Sequence, residues 1–226
     1  MFGKLYIVST PIGNLKDITS RALETLEQVD FILCEDTRIT SRLLKHYNIT
    51  KKLISFNAVS ETKKIPITLK RIQTGENCAL VSDAGTPAIS DPGIRLISQA
   101  IKEEIEIIPI PGASALIAAL TVSGLPTDSF VFEGFLPQKK GRQKKLKELS
   151  EEKRTIVLYE STYRIKKLIA ELVDYMPGRF VVVCRELTKM FEETWRGYPN
   201  ELKEQLNEKV VKGEFVVVIA PIGWKI

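Results

Sequence analysis

The first half of the chain alternates short apolar runs with amphipathic stretches. The apolar runs are rich in β-branched residues and stop at Gly, Pro or polar residues, which is typical of buried strands. Five such runs predict strands at residues 4–10, 31–34, 53–56, 79–82 and 105–110. Between them, apolar residues recur at helical spacing, as at Ala22, Leu26 and Val29. Strands that alternate with helices of this length predict a parallel α/β sheet.

The second half has a different pattern, which begins after the Ser-Gly-Leu-Pro segment at residues 123–126. It predicts a last helix at residues 200–210 and strands at residues 130–132, 155–159, 180–184, 193–196 and 215–220. Only RELTKMFE separates the third of these strands from the fourth, which is too short for a crossover helix and favours antiparallel pairing. We therefore predict two α/β domains, an N-terminal parallel-sheet domain at residues 1–122 and a C-terminal mixed-sheet domain at residues 123–226.

Composition narrows the class of protein. The 226 residues carry a formal net charge of +5, three cysteines without a C-x-x-C pair and one histidine, so no metal site is expected. No apolar run is long enough to cross a bilayer, and the N-terminus lacks the cleavage pattern of a signal peptide. These features predict a cytoplasmic protein without a membrane partner.

The excess of positive charge lies in the second half of the chain. Residues 139–147, KKGRQKKLK, hold six cations and no acid, which suits a polyanion such as nucleic acid. A solvated loop followed by the exposed face of a helix explains the same residues equally well.

Four strands of the first half end in residues suited to a binding site: TPIGN at residues 10–14, EDTR at 35–38, DAGTP at 83–87 and PGAS at 111–114. Because the carboxyl ends of parallel strands share one edge of a sheet, we expect these loops to assemble one site. The alternative for the segment VSDAGTPAISDPG is an ordinary turn, in which Asp91 caps the next helix and Pro92 takes its first position.

Two common ligand motifs are absent from the sequence. It contains no G-x-x-x-x-G-K-[ST] loop, and G-x-G-x-x-G does not follow the first strand, which disfavours a P-loop and a standard dinucleotide fold. The single histidine, His46, lies near the end of a predicted helix, where interaction with the helix dipole explains it better than catalysis does.

Taken together, the motifs resemble the ribosomal RNA small subunit methyltransferase I family of the tetrapyrrole methylase superfamily. They run from about Leu5 to Pro221 in the order YIVSTPIGNLKDIT, CEDTRITSRLLKHY, LVSDAGTPAISDPG, PIPGASALIAALTVSGLP, FEGFLP, YESTYRI, CRELTKMFEE and KGEFVVVIAP. The resemblance implies S-adenosylmethionine as methyl donor and the 2′-hydroxyl of a cytidine in the decoding region of small-subunit (16S) rRNA as acceptor. It further implies a cofactor cleft between two α/β domains, a homodimer, and small-subunit rRNA or the small ribosomal subunit as partner.

One segment departs from the family pattern. Many members carry H-x-H-N-E after the third strand, whereas this chain has FNAVSE at residues 56–61. Either those histidines are not required for the chemistry, or another residue takes their role here.

The resemblance also assigns cofactor-binding residues. From the first half it implies Asp83, Gly85, Thr86, Pro87, Ile89, Gly112, Ala113, Ser114 and Ala115. In the second half a strand ends at Tyr159, Glu160 and Ser161, which we expect to close the cofactor cleft from the other side. Backbone N–H groups at the start of the helix after Gly112 suit a carboxylate. Two alternatives stay open: Asp83 orders its own loop, and Ser161 caps the next helix.

Transfer of a methyl group to a ribose hydroxyl requires alignment of the acceptor and removal of a proton. The candidate groups are Asp36, Glu35, Glu186 and Lys189, for which salt-bridged structural roles are the alternative. The hypothesised RNA-binding residues are Pro11, Gly13, Asn14, Arg38, Arg142, Lys144 and Lys145. Two rival functions are a small-molecule methyltransferase of the tetrapyrrole type and a non-catalytic, RNA-binding ribosome assembly factor.

Overall fold

A computed structural model describes residues 2–207, 209 and 211–225. The chain divides into two compact units, residues 1–114 and 115–226. This division lies before the helix Ala115–Ser123, whereas the predicted domain limits lie near the end of that helix. The limits 1–122 and 123–226 therefore stay a prediction. No helix in the described part of the chain has the length and apolar character needed to cross a membrane.

Unit 1 contains a five-stranded sheet in the order β3-β2-β4-β1-β5. All of its strand pairs are parallel, as the sequence predicts. The strands are β1 (Leu5–Val8), β2 (Phe31–Cys34), β3 (Lys52–Ser55), β4 (Cys78–Val81) and β5 (Ile107–Ile110). The helices between them are α1 (Ser20–Gln28), α2 (Thr37–His46), α3 (Glu61–Gln73) and α4 (Ile94–Lys102). All five strands therefore end at the same edge, which we call the carboxyl edge of unit 1.

The two faces of this sheet carry alternate residues of each strand. In β2, Phe31 and Leu33 pack in one apolar cluster with residues of α3 and α4. Ile32 and Cys34 pack in the other cluster with residues of α1 and α2. Because successive side chains of a strand point to opposite faces, a fully apolar strand such as FILC is buried on both sides.

Unit 2 contains the predicted mixed sheet, in the order β6-β7-β10-β8-β9. Its first pair, β6 with β7, is parallel, and its other pairs are antiparallel, including β8 with β9. The strands are β6 (Phe130–Phe135), β7 (Thr155–Ser161), β8 (Val181–Arg185), β9 (Glu193–Gly197) and β10 (Glu214–Ile219). The helices are α5 (Ala115–Ser123), α6 (Arg142–Ser150), α7 (Ile165–Tyr175) and α8 (Pro199–Asn207). The predicted last helix extended to Val210, which lies outside the described residues.

One apolar core holds unit 2 together. Leu146 of α6, Leu168 of α7 and Leu202 of α8 are fully buried against the sheet, together with Val183 and Val217 from its strands. Burial of one such side chain contributes about 1.5–3 kcal/mol. The three helices therefore fix the position of the strand ends that carry the polar residues of this unit.

Candidate functional site

Three loops of unit 1 are joined at its carboxyl edge. Thr10, after β1, exchanges backbone hydrogen bonds of 2.9 and 3.0 Å with Gly85, after β4. The Ser9 and Thr86 hydroxyl oxygens lie 2.9 Å apart, and Thr86 Oγ1 donates to the Ala113 carbonyl at 3.2 Å. The loops after β1, β4 and β5 therefore form one hydrogen-bonded assembly, as the pattern of strand ends predicts.

Two glycines permit this close assembly. Gly85 has φ of 79°, a left-handed conformation that other residues rarely adopt. At Gly112 an added Cβ would stand 2.9 Å from Ser9 Cβ. Larger residues at either position would push the loops apart.

The loop after β4 continues in an unusual backbone conformation. Ala88 and Ser90 have φ of 66° and 64°, which costs energy for residues with a side chain. Gly93 has φ of 133° and forms the N-cap of α4 without a side-chain hydrogen bond. The interpretation of Asp91 as the helix cap is therefore wrong, because α4 begins at Ile94 and its N-cap residue is Gly93.

Asp91 instead joins a group of carboxylates at this edge. Burial, followed by the negative charge of Glu35, raises the pKa of Asp91 to about 6, against a hydrogen bond with Ser82 that lowers it. Burial also raises the pKa of Glu35, and Asp83 and Asp36 add to that effect. Burial likewise raises the pKa of Asp83. Carboxylates whose pKa values are raised in this way are typical of functional sites.

Asp36 has a different environment. Its carboxylate accepts hydrogen bonds from the backbone N–H of Arg38 at 2.8 Å and from the Arg38 side chain at 2.6–3.1 Å. These contacts lower the pKa of Asp36 to about 2. The Asp36 backbone N–H donates to Asp83 Oδ1 at 2.9 Å, so Asp83 also ties its own loop to the start of α2. Asp36 acts as the N-cap of α2 and is a poor candidate for a proton acceptor.

The other predicted residues of this edge differ in exposure. Pro11 and Pro87 are buried, whereas Gly13, Asn14 and Ile89 are exposed. Asn14 caps a short 3-10 helix, Leu15–Asp17, by accepting from the Lys16 N–H at 3.1 Å. The side chain of Pro11 therefore has no surface to offer RNA, while Gly13 and Asn14 do.

Unit 2 places its predicted site residues in ion pairs. Glu160 is 2% exposed, forms an ion pair of 2.8 Å with Arg164 Nε and accepts a hydrogen bond of 2.8 Å from the Ser161 N–H. Arg142 is 3% exposed and makes a bidentate pair with Glu171, with Glu160 Oε2 3.6 Å from its guanidinium. Burial and these ion pairs disfavour a contact of the Glu160 side chain with a cofactor and of the Arg142 side chain with RNA, and both contacts stay predictions.

Ser161 and Tyr159 are also placed by neighbours in unit 2. The Ser161 carbonyl accepts from the Arg164 N–H at 3.0 Å, but Arg164, not Ser161, is the N-cap of α7. The alternative role of Ser161 as the helix cap is thus wrong. Tyr159 packs edge-on against Phe132 and Phe135, with ring centroids 4.9 and 5.7 Å away.

The remaining charged candidates of unit 2 are paired as well. Lys189 Nζ lies 2.9 Å from Glu186 and 2.8 Å from Glu214, and Glu186 also accepts from the Glu214 N–H. Burial alone would raise the pKa of Glu186, but Lys189 and the Glu214 N–H bring it below its ordinary value. Lys145 pairs with Glu133 at 2.9 Å, and Lys144, whose side chain is 83% exposed, lies 3.9 Å from Glu148.

The roles of four residues in these arrangements were not predicted from the sequence. Ser9 links two loops, and its only signal was its position beside TPIGN. Arg164 joins Glu160 to the Leu136 carbonyl, which it binds at 3.1 Å. Nothing in the residue types of Ala88 and Ser90 indicated a left-handed backbone. Among the described residues no cluster of three or more His, Cys, Asp or Glu is arranged to hold a metal ion.

Comparison with known proteins identifies the family. A family model described as Tetrapyrrole (Corrin/Porphyrin) Methylases matches residues 4–203. The chain is 47% identical over 225 residues to the ribosomal RNA small subunit methyltransferase I of Halalkalibacterium halodurans, covering 99% of this chain and 78% of that protein. It is 46% identical over 218 residues to the protein of the same name from Thermotoga maritima, covering 96% of this chain and 98% of that one.

Solved structures share the fold at low sequence identity. Cobalt precorrin-4 methyltransferase, a cobalamin biosynthetic enzyme, matches with a TM-score of 0.71 and 20% identity, over 96% of this chain and 94% of that one. Uroporphyrin-III C-methyl transferase from Thermus thermophilus, complexed with S-adenyl homocysteine, matches with a TM-score of 0.67 and 16% identity, over 96% and 97%. The chain belongs to the tetrapyrrole methylase family and, within it, to the ribosomal RNA small subunit methyltransferase I family.

Proposed function

We propose that this protein is an S-adenosylmethionine-dependent methyltransferase acting on the 2′-hydroxyl of a cytidine in the decoding region of small-subunit (16S) rRNA. The observation that carries the proposal is the 46–47% identity, over nearly the whole chain, to relatives named ribosomal RNA small subunit methyltransferase I. Because such RNA is made and assembled in the cytoplasm, a cytoplasmic location is part of the proposal. A homodimer stays a prediction from the family.

The carboxyl edge of unit 1 fits the proposed cofactor. S-adenosylmethionine supplies an electrophilic methyl group on a sulfonium, and its methionine part carries an ammonium and a carboxylate. The partly buried carboxylate of Asp83 suits the positive groups. The first backbone N–H groups of α5 follow Gly112, Ala113 and Ser114 and suit the carboxylate.

Glu35 is the proposed general base among the four catalytic candidates. Its pKa is raised by burial and by the neighbouring carboxylates, which makes it a better proton acceptor than an ordinary glutamate. No hydrogen bond or ion pair holds its side chain within the described part of the chain. Asp36, Glu186 and Lys189 are each held in the ion pairs described above, so we assign them structural roles.

The remaining residues of the proposed site divide between cofactor and RNA. Gly85, Thr86, Pro87 and Ile89 shape the cofactor loop, and exposed Gly13 and Asn14 suit the acceptor nucleotide. Among the cations, Arg38 and Lys144 have side chains that are 86% and 83% exposed and are therefore accessible to phosphates. Lys145 would first have to leave Glu133.

The experiment is transfer of a labelled methyl group from S-adenosylmethionine to small-subunit rRNA, offered free or in the assembled subunit. The expected result is incorporation at one 2′-hydroxyl of a cytidine. Uroporphyrinogen offered in place of RNA tests the small-molecule rival, and its methylation with no labelling of RNA would contradict the proposal. Calorimetry tests the assembly-factor rival, because a protein that does not bind S-adenosylmethionine has no methyl donor.

A further inference from the structure

A stretch of unit 1 contains cations and no acids. From Thr37 to Ser60 the sequence has no Asp or Glu, whereas it contains Arg38, Arg42, Lys45, Lys51 and Lys52. Because the whole chain has 28 acidic residues, a stretch without any of them has a local excess of positive charge. It lies outside the cationic segment at residues 139–147.

Helical geometry puts three of these cations in one row. Arg38, Arg42 and Lys45 stand at positions i, i+4 and i+7 of α2, which share one face of a helix. All three are exposed, while the buried residues of α2 are Thr40, Leu43 and Leu44. With a rise of 1.5 Å per residue, the row is about 10 Å long.

These cations are largely free of carboxylate partners. Among the described residues, no Asp or Glu lies within ion-pair distance of Arg42, Lys45, Lys51 or Lys52, and Arg38 pairs only with Asp36. The segment after residue 139 differs, because its Arg142 is buried and its Lys145 is paired with Glu133. The four cations without such a partner, Arg42, Lys45, Lys51 and Lys52, keep their full attraction for an external anion.

An open groove of about 440 Å³ continues the row beyond the C-terminal end of α2. Its lining combines two lysines, polar side chains and an apolar floor: Ser41, Leu44, Lys45, Asn48, Ile49, Thr50, Lys51 and Leu53. Asn48 has φ of 57° and turns the chain so that Lys51 faces the same groove as Lys45. Ammonium and hydroxyl groups beside an apolar floor suit the phosphate and the sugar of a nucleotide.

The row begins at the proposed catalytic edge. Arg38 follows the cap residue Asp36, which is adjacent to Glu35 in the chain and donates its N–H to Asp83. At the other end of α2, the Tyr47 hydroxyl donates to the Leu15 carbonyl at 2.6 Å. That contact ties the helix to the loop that carries Gly13 and Asn14.

We infer that the exposed face of α2 and the groove at its end form a track for the phosphate backbone of an RNA strand whose acceptor ribose is at the carboxyl edge of unit 1. This inference rests on the proposed function and names which surface holds the substrate. The track contacts phosphates, so it positions the strand without reading its sequence. A merely solvated helix face would have the same composition and no effect on RNA binding.

The test measures binding of a single-stranded RNA oligonucleotide of mixed sequence over a range of salt concentrations. The variant Arg42→Gln/Lys45→Gln/Lys51→Gln removes three phosphate contacts, which should weaken binding about tenfold or more and reduce the slope of log K against log [salt] by about 2. The matched control Lys102→Gln/Lys166→Gln/Lys203→Gln removes the same charge from exposed positions on three other helices and should leave the slope unchanged. Thermal unfolding checks that both variants are folded.

A second variant separates charge from helix stability. Arg42→Lys/Lys45→Arg/Lys51→Arg keeps every charge and should bind RNA like the parent protein. Equal salt slopes for the parent and the Gln variant would overturn the inference. A Gln variant that binds RNA like the parent protein but no longer binds vesicles containing anionic lipid would also overturn it. A different result would contradict the proposed function, namely that the parent protein transfers no methyl group to rRNA.

Discussion

Carboxylates follow the strand ends in both units, but the two units use them in opposite ways. In unit 1, Glu35, Asp83 and Asp91 lie at one edge with their pKa values raised by burial. In unit 2, Glu160 contacts two arginines, and Glu186 is held by Lys189. Removal of Glu35 in unit 1 should therefore affect chemistry, whereas removal of Glu160 in unit 2 should affect stability.

The difference follows from the neighbours that each fold supplies. The loops of unit 1 meet through backbone atoms and hydroxyl groups, as between Ser9 and Thr86, which leave Glu35, Asp83 and Asp91 unneutralised. In unit 2 the helices α6 and α7 bring Arg142 and Arg164 to the end of β7. Removal of a buried carboxylate that neutralises a cation leaves that cation unpaired and destabilises the protein, whereas a partly buried carboxylate without a cation is available to take up a proton.

The sharpest test of the unit 1 assignment is Glu35→Gln. Loss of a general base should lower the rate of methyl transfer to rRNA by about 10²–10⁴-fold, with little change in the free energy of unfolding. The rate of the parent enzyme should rise with pH through the raised pKa of Glu35, because only the ionised carboxylate accepts a proton. An exposed carboxylate of α1, changed by Glu24→Gln, is the control. A Glu35→Gln enzyme as fast as this control would refute the assignment.

In unit 2 the corresponding test is Glu160→Ala. It leaves buried Arg142 and the partly buried Arg164 without this carboxylate, which should lower the free energy of unfolding by about 3–5 kcal/mol. Urea denaturation measures the change. Glu148→Ala removes a carboxylate that is 54% exposed and should cost less than about 1 kcal/mol. Equal losses for the two variants would show that the buried pairs do not stabilise unit 2.

Asp91→Asn tests how much a partly buried carboxylate without a cationic partner lowers the stability of the folded protein. The pKa of Asp91 is raised to about 6, so the folded protein binds its proton more tightly than the unfolded chain. Stability from this group is present at acid pH and is lost as the pH rises through about 6. After allowance for solvent screening, the Asn variant should be more stable than the parent by about 1–2 kcal/mol at pH 8 and equal to it near pH 3.5. An advantage that is independent of pH would contradict this explanation.

The smallest effect is expected at Asp36, the one carboxylate of the unit 1 edge with a cation. Asp36→Ala removes the cap of α2 and should lower the midpoint of thermal unfolding by about 2–4 °C, whereas Asp36→Asn should retain most of the cap. Both variants should slow methyl transfer less than Glu35→Gln does. A larger loss of rate in the Asp36 variants than in Glu35→Gln would show that Asp36, and not Glu35, is the general base.

The arrangement of strands could be predicted because it depends on local pattern. The strand at residues 31–34 has the predicted limits, since FILC is apolar on both faces and ends at Glu35. The meeting of the loops after β1, β4 and β5 followed from the rule that parallel strands end at one edge.

The roles of individual charged residues could not be predicted in the same way. Arg142 stands in a run of lysines, and its partner Glu171 is 29 residues away, so sequence alone does not show that it turns inward. Asp91 precedes Pro92 and Gly93 in a pattern typical of helix starts, but the backbone at Gly93 excludes the cap. Both depend on tertiary contacts, which the spacing of residue types does not contain.

The most direct test of the central claim is a map of 2′-O-methylation on small-subunit rRNA from a strain that lacks this protein. We expect one methylated cytidine in the decoding region to disappear, to return when the parent protein is supplied, and to remain absent when the Glu35→Gln variant is supplied at equal abundance. A map that is unchanged in the strain without the protein would contradict the claim.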